Sequence, residues 1–312
     1  MLAAMATVGL DWIRKSVAGS VRSLIGGGGD GPTLDLAPFR EPLGDPGLFG
    51  PDSVAWRVGA DAAMLIGGVR ALLLQTVHPL AMAGVGDHSN YRSDPWGRLQ
   101  RTAMYVSTTT FGSTAAAHEM VEMVTAVHQS VKGTADDGRP YSALDPELLR
   151  WVHVTEIDSF AVAVEAFGST TLSSADIDQY HLEMSHLGTL MGAVDVPENA
   201  KAVADYYQGI APELCGSTRA REAVRFLLWP PVPARLRPAY LGIVGAAVSL
   251  LPDEVRDELW LPKLPFTEDL LIGPGAAALS RLLGWALGES PLVATAHARA
   301  TSGKNGGPRR VD

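Results

Sequence analysis

The stretch 118-HEMVEMVTAVHQSVKG-133 predicts an amphipathic helix that carries a histidine among its apolar residues. Four apolar residues recur at intervals of four, three and four, the period of one face of an α-helix: Met120, Val124, Val127 and Val131. His128 adjoins Val124 and Val131 on this face, and Gly133 supplies a stop signal beyond it. The sequence therefore directs the His128 imidazole toward the core.

An imidazole on a buried face needs a partner for each ring nitrogen, because an unsatisfied polar group inside a protein costs free energy. Neighbouring protein groups can satisfy it, which makes His128 a core histidine, or it can bind a metal, which makes it a ligand. The spacing favours the core histidine and leaves the ligand open.

The composition describes an apolar and acidic chain. Of its 312 residues, 46% are hydrophobic and 19% charged, and the mean hydropathy is +0.10, which predicts thick buried helices and an apolar cavity. A net charge of −9 argues against nucleic acid as a partner, because phosphate binding needs a basic surface. The single cysteine, Cys215, excludes an intrachain disulfide and a cysteine-rich zinc site, and it fits a reducing compartment.

Three regions differ in composition. Residues 1–30 combine an amphipathic helix with a glycine run at 26–29, residues 51–290 form the body, and residues 301–312 form a tail that is expected to be disordered. We expect the N-terminal helix to dock on the body, with contact to a membrane surface through residues 1–25 as the alternative.

No segment is a clean candidate for a membrane span. The longest apolar region, 62–86, is interrupted by polar residues and by Pro79, which predicts a broken, buried helix. The N-terminal apolar run lacks a basic start, so it is a poor signal peptide. The expected location is therefore the cytoplasm, with membrane association as the alternative.

Helical signals dominate the body. Asp94-Pro95 and Asp145-Pro146 each combine a capping residue with a proline that fits the first helical position. Such signals and the apolar periodicity predict helices over residues 96–111, 113–132, 147–168, 174–192, 198–211, 239–250 and 275–288. We find no convincing strand pattern and no repeat, which predicts an all-α fold in a single domain.

A cluster of polar residues shares one face of the helix predicted at 96–111: Arg98, Arg101, Thr102 and Tyr105. One interpretation is a solvated face. The other is a polar cluster inside a pocket, in which a guanidinium holds an anion and a hydroxyl donates a hydrogen bond. The spacing does not decide between the two.

Other histidines have structural explanations. Capping and loop hydrogen bonds account for His78 and His88, and His118 is expected to be solvated. His153 has Glu156 one turn away, which predicts a core histidine tied to that carboxylate, with a functional role as the alternative.

Glu183 and His186 form a Glu-x-x-His pair, the spacing that ferritin-like di-iron bundles use twice. No second copy is found in the chain, so a surface helix is the preferred interpretation. The nucleophile elbow of serine hydrolases, the Walker phosphate loop and the dinucleotide glycine motif are all missing.

Five motifs, taken in order, resemble one known family. They are 75-QTVHPLAMAGVGDHS-89, 94-DPWGRLQRT-102, 111-FG-112, 127-VHQSVKG-133 and 138-GRPYSALDPELLRWVH-153. As an ordered set they are similar to the catalytic domain of the MpaB/rubber oxygenase (latex clearing protein) family of haem oxygenases. The resemblance implies an all-helical domain with a globin-like core that binds haem b.

The resemblance also implies residue roles. His128 matches the histidine that holds the haem iron, and this would explain an imidazole on an apolar face. Arg98 and Thr102 match an Arg-x-x-x-Thr on the opposite side of the haem, where they would orient dioxygen or water. His153 matches a histidine near the haem, which gives it a distal or supporting catalytic role.

Charge alone suggests Arg101 and Lys132 as partners of the haem propionates. Two departures from the family pattern also appear. Arg101 stands where rubber oxygenases carry a lysine that caps the iron, and between Arg70 and Arg98 the only acids are Asp87 and Asp94, so the family's catalytic glutamate is missing.

The expected function is therefore a haem-b oxygenase that acts with dioxygen on a small apolar substrate other than polyisoprene. Two alternatives stay open. One is a non-catalytic haem- or lipid-binding protein of the same fold, and the other is a di-iron carboxylate oxygenase that uses Glu183 and His186.

Overall fold

The computed structural model describes residues 35–302, so the amphipathic helix predicted at 1–30 and nearly all of the tail predicted at 301–312 lie outside the described residues. The elements, in chain order, are α1 Ala37–Arg40, α2 Val54–Gly59, α3 Met64–Thr76, α4 Pro79–His88, α5 Pro95–Phe111, α6 Thr114–His128, β1 Lys132–Thr134, β2 Pro140–Ser142, α7 Pro146–Phe167, α8 Ser174–Leu190, α9 Ala200–Ile210, α10 Thr218–Leu228, α11 Arg237–Ser249, α12 Asp253–Glu258, α13 Pro265–Leu287 and α14 Pro291–Thr301. The prediction of an all-α fold is confirmed, whereas a globin-like core stays a prediction.

Helices α3 and α7 form the centre of the body. Their backbones approach closely at Gly67, where an added Cβ would lie 2.7 Å from the Ser159 carbonyl oxygen. The Arg70 guanidinium is buried in the same interface and donates to Asp158 Oδ2 at 2.9 Å and to Ser159 Oγ at 2.8 Å. A glycine contact and a buried ion pair thus fix how these two central helices pack.

Helices α5 and α6 form a hairpin joined by two residues, Gly112 and Ser113. The Asp94 side chain accepts from the Gly97 amide at 3.0 Å and begins α5, and Ser113 Oγ accepts from the Ala116 amide at 3.3 Å and begins α6. The capping signal at Asp94 predicted the first of these starts, and the second agrees with the helix predicted to begin at residue 113. Because the link is so short, the two helices are neighbours, and they contact each other.

The predicted end of α6 is wrong. The helix ends at His128, and Lys132 already pairs with Ser142 in an antiparallel β1–β2 ribbon that the sequence analysis did not predict. Strands of three residues are too short to show an alternating pattern. Gly133 serves this ribbon, since an added Cβ there would lie 2.6 Å from the Tyr141 hydroxyl oxygen.

The apolar region 62–86 is a broken helix, as predicted. Helices α3 and α4 bend by 105° at the His78-Pro79 step. The prediction that no segment suits a membrane span needs correction, because α13 is long and apolar enough to cross a membrane by length and composition. A proline and glycine at its centre and a π-helical turn at Glu268–Ile272 obscured its continuity in the sequence.

Residues near both limits of the described chain meet at one buried side chain. Arg299 of α14 is 1% exposed, and its guanidinium donates to five backbone carbonyl oxygens, those of Pro38, Phe39, Asp45, Phe111 and Gly112. It therefore fastens α14 and residues 35–50 to the junction of α5 and α6. The body consequently includes segments on either side of residues 51–290.

We expect Arg299→Ala to lower the free energy of unfolding by roughly 3 kcal/mol or more, because five buried carbonyl groups lose a charged donor. Urea denaturation followed by circular dichroism measures this change. Arg281→Ala on the exposed side of α13 is the control and should change stability by less than about 0.5 kcal/mol. Equal unfolding free energies of the two variants would contradict a stabilising role of the Arg299 hydrogen bonds.

Candidate functional site

One polar face of α5 passes from the surface into the body. Thr102 is exposed, Arg98 and Tyr105 are half-buried, and Thr109 is buried. Arg98 donates to Ser89 Oγ at 2.8 Å, and burial lowers the pKa of its guanidinium. The face is therefore not simply solvated, because its inner part lies against the body.

The Arg101 side chain lies at the surface of the protein. Its guanidinium lies 3.3 Å from Asp94 Oδ2, and both side chains are more than half exposed. An exposed pair of this kind contributes little to stability. Arg101 is therefore free to change partners.

His128 is the last residue of α6 and is half-buried. It continues a stripe at helical spacing that begins with buried Ala117 and Val121 and passes through half-buried Val124. Val127, which was predicted on the same face, is 60% exposed. The helix thus turns His128 inward as predicted, but on a narrower stripe.

One ring nitrogen of His128, Nδ1, lacks a protein partner among residues 35–302. Nδ1 is buried, and no group in the described part of the chain forms a hydrogen bond with it. Burial also lowers the pKa of the imidazole, which favours the neutral form. A neutral imidazole is the form that binds a metal, so the surroundings of His128 fit a ligand better than a satisfied core histidine.

The α5–α6 hairpin brings Arg98, Thr102 and His128 to the same end of the body. Arg98 contacts Ser89, and the adjacent His88 contacts Lys132, four residues after His128, so the start of α5 and the end of α6 both lie near the end of α4. No hydrogen bond joins these three side chains among the residues that the structure describes. Lys132 follows on β1 and is exposed.

Glu156 on α7 faces the same region, and the sequence analysis did not single it out as a site residue. It is half-buried, and burial raises its pKa to about 7. The carboxyl group interacts electrostatically with Tyr105 of α5, and burial and this interaction raise the tyrosine pKa in turn. Its place beside the apolar residues Val152 and Ile157 was the available signal.

His153 lies on the side of α7 that packs against α8. Its ring is buried, and Nε2 donates to the Met184 carbonyl oxygen at 2.8 Å. This contact corrects the expected pairing with Glu156. Gly188 makes room for the ring, because an added Cβ would lie 2.7 Å from His153 Cδ2. His153 thus joins α7 to α8, and a catalytic role for it stays a prediction.

The other first-half histidines have the structural roles that were predicted. His78 Nδ1 accepts from the Ala81 amide at 3.4 Å and caps α4. His88 Nε2 donates to the Lys132 carbonyl oxygen at 3.2 Å, and His118 is exposed.

The two acids upstream of Arg98 are already engaged. Asp87 accepts from the Tyr141 hydroxyl at 2.8 Å and from Arg219 at 2.6 Å, and Asp94 caps α5. Asp87 and Arg219 also line an open cavity of about 320 Å³ beside Ser89. This cavity has charged walls, so it is not the apolar cavity that the composition predicted.

The di-iron alternative finds no ligand set. The Glu183 carboxylate accepts from the amides of Val54 and Ala55 and so caps α2, while His186 is exposed. Among residues 35–302, no group of three or more histidine, cysteine or acidic side chains could hold a metal ion. Haem requires one protein ligand, so this finding does not bear on it.

Comparisons with known proteins give one family. The family model described as "ER-bound oxygenase mpaB/B'/Rubber oxygenase, catalytic domain" matches residues 56–287, which is most of the chain and includes every motif that carried the resemblance. Neither the curated proteins nor the solved structures give a match.

The pKa of His153 predicts acid sensitivity. Burial lowers it from 6.5 to about 4, so the unfolded chain takes up a proton at a pH where the folded protein does not. The contribution to stability, on the order of 3 kcal/mol, is complete above pH 6.5 and is lost as the pH falls toward 4. His153→Gln should therefore flatten the decline in unfolding free energy between pH 6.5 and pH 4.5.

Urea denaturation at four pH values across this range measures the slope. His118→Gln, which changes an exposed histidine, should keep the slope of the unaltered protein. If His153→Gln also keeps it, the buried imidazole is not the source of the acid sensitivity.

Proposed function

The chain belongs to the mpaB/rubber oxygenase catalytic-domain family, and on that premise we propose that it is a haem-b-dependent oxygenase that uses dioxygen to oxidise a small apolar organic substrate. The family description names oxygenases, so an oxidoreductase is the coarser statement that the family supports. The cofactor and the substrate class are our proposal.

One observation carries the choice of haem. His128 presents a neutral imidazole at the end of a helix, and its buried nitrogen has no partner in the described chain. A ring that the protein leaves unsatisfied is expected where a bound group completes its contacts. The residues present therefore fit a haem whose iron is held by His128.

When bound, haem would supply the iron at which dioxygen is reduced. The chain's own contribution begins with Arg98, which is held by Ser89 and so could present a hydrogen-bond donor to dioxygen or water. Thr102 adds a hydroxyl one turn further along the same face. Arg101 and Lys132 are exposed cations at this end, and their charge suits two propionates.

A non-catalytic haem- or lipid-binding protein is the second candidate. The observation in its favour is that Asp87 and Asp94 are both committed to other contacts, so neither is available as a base beside Arg98. The two candidates differ in oxygen consumption, which depends on an added substrate for an oxygenase and does not for a binding protein.

We also propose that the protein is cytoplasmic and contacts a membrane surface. The exposed apolar side chains of α13 support this, with Phe266 at 84%, Leu270 at 72% and Leu271 at 69% exposure. Such a surface is unfavourable in water. The contact first considered, through residues 1–25, lies outside the described residues.

We expect His128→Ala to abolish haem retention and Arg98→Ala to preserve it, because the first removes the iron ligand and the second a donor to bound oxygen. The pyridine haemochrome assay and the Soret absorption of protein purified with added haem measure retention. The unaltered protein should carry about one haem b per chain, the stoichiometry of a single histidine ligand.

The matched control for this experiment is His118→Ala, since His118 is on the same helix and exposed. It should retain haem. Purified protein that contains no porphyrin would contradict the assignment of haem as the cofactor. Full haem retention in His128→Ala would contradict the assignment of His128 as the iron ligand. Retention in Arg98→Ala with unchanged oxygen consumption contradicts the role of Arg98.

For the membrane contact, we expect Phe266→Ser combined with Leu270→Ser to reduce cosedimentation with phosphatidylcholine vesicles at least fivefold, because two exposed apolar anchors are lost. Leu43→Ser replaces a leucine of similar exposure, 68%, in a different part of the surface and is the control. Equal sedimentation of the two variants contradicts a contact through α13.

A further inference from the structure

Glu156 is a carboxyl group that the fold leaves without a hydrogen bond. No donor reaches it among the residues that the structure describes, although α7 is buried along most of its length. Buried carboxylates normally accept several hydrogen bonds or pair with a cation. An unpartnered carboxyl group that keeps some exposure is available to a bound molecule.

Two phenols interact electrostatically with this carboxyl group. Tyr105 of α5 and Tyr180 of α8 are the titratable groups that act on it, and α3 offers no charge, because Arg70 is directed to Asp158 and Ser159. Burial therefore keeps the Glu156 carboxyl protonated up to about pH 7. It is a hydrogen-bond donor below this pH and only an acceptor above it.

Neighbouring residues leave open space beside Glu156, and we call this space the cleft. Val152, one turn before Glu156, is 37% exposed although it belongs to the central helix. Gln75 of α3 donates to the Val152 carbonyl oxygen at 3.3 Å, which places the half-buried face of α3 beside it. On that face, Gly68 adjoins open space, since an added Cβ would meet nothing within 4 Å.

We propose that Glu156 is a substrate-binding residue that holds a hydroxyl or carbonyl group of an otherwise apolar substrate in this cleft. This inference rests on the proposed function and deepens it, because it names a chemical class of substrate. With a carbonyl substrate, the carboxylic O–H donates to the carbonyl oxygen. With an alcohol, the substrate O–H donates to the carboxylate, and no oxidant takes part in either contact.

The arrangement predicts a pH-dependent preference that can be measured without haem turnover. We expect 2-decanone, which only accepts, to bind more weakly as the pH rises from 6 to 8, while 1-decanol, which also donates, keeps its affinity. The ratio of the two dissociation constants should rise about tenfold, because one hydrogen bond to the ketone is lost. Isothermal titration calorimetry on the purified protein measures both.

Glu156→Gln removes the titration and should make the ratio independent of pH. The matched control, Glu165→Gln, changes an exposed carboxylate on the same helix and should keep the tenfold rise. A constant ratio in the unaltered protein, a pH-dependent ratio in Glu156→Gln, or no binding of either probe overturns the proposal. Because the unaltered protein is itself a test, misfolding of the variant does not leave the proposal undecided.

The haemochrome assay separates this result from the proposed function. A protein that carries haem but shows a constant ratio retains the oxygenase assignment and loses the role of Glu156. A protein without haem that shows the rise loses the oxygenase assignment and keeps a cleft for polar-ended apolar ligands.

Discussion

The fold depends on the buried guanidinium of Arg70. It donates to Asp158 and Ser159 of α7 and to the Leu250 carbonyl oxygen after α11, while the Tyr207 hydroxyl of α9 donates to the same Asp158 carboxylate at 3.1 Å. Four helices thus meet at one charged group. An ion pair inside a protein is tolerated only when its hydrogen bonds are complete. The packing of these four helices is therefore cooperative.

The ion pair between Arg70 and Asp158 also explains the direction in which Glu156 points. Asp158 is directed inward to Arg70, and Glu156, two residues earlier on α7, is therefore turned toward a different side of the helix. There it meets Tyr105 of α5 instead of a cation. The same helix therefore carries a hydrogen-bonded carboxylate that faces the core and a carboxyl group without a hydrogen bond that faces the cleft. Their positions around the helix axis account for this difference.

Local signals predicted much of the fold and less of the site. Asp94 and Asp145 were recognised as helix starts because capping acts within four residues, and the inward direction of His128 was predicted from periodicity alone. The β1–β2 ribbon was missed because its three-residue strands carry no pattern. The partners of Arg70, His153 and Glu156 were out of reach, since each lies on another helix far along the chain.

Arg299 has a consequence for the order in which the protein is made. The carbonyl groups of Phe111 and Gly112 that it binds are synthesised 188 and 187 residues earlier. A nascent chain therefore exposes the α5–α6 junction, with its donors missing, until α14 has left the ribosome. The helices that carry Arg98 and His128 can form early, but their attachment to the body is among the last events of translation.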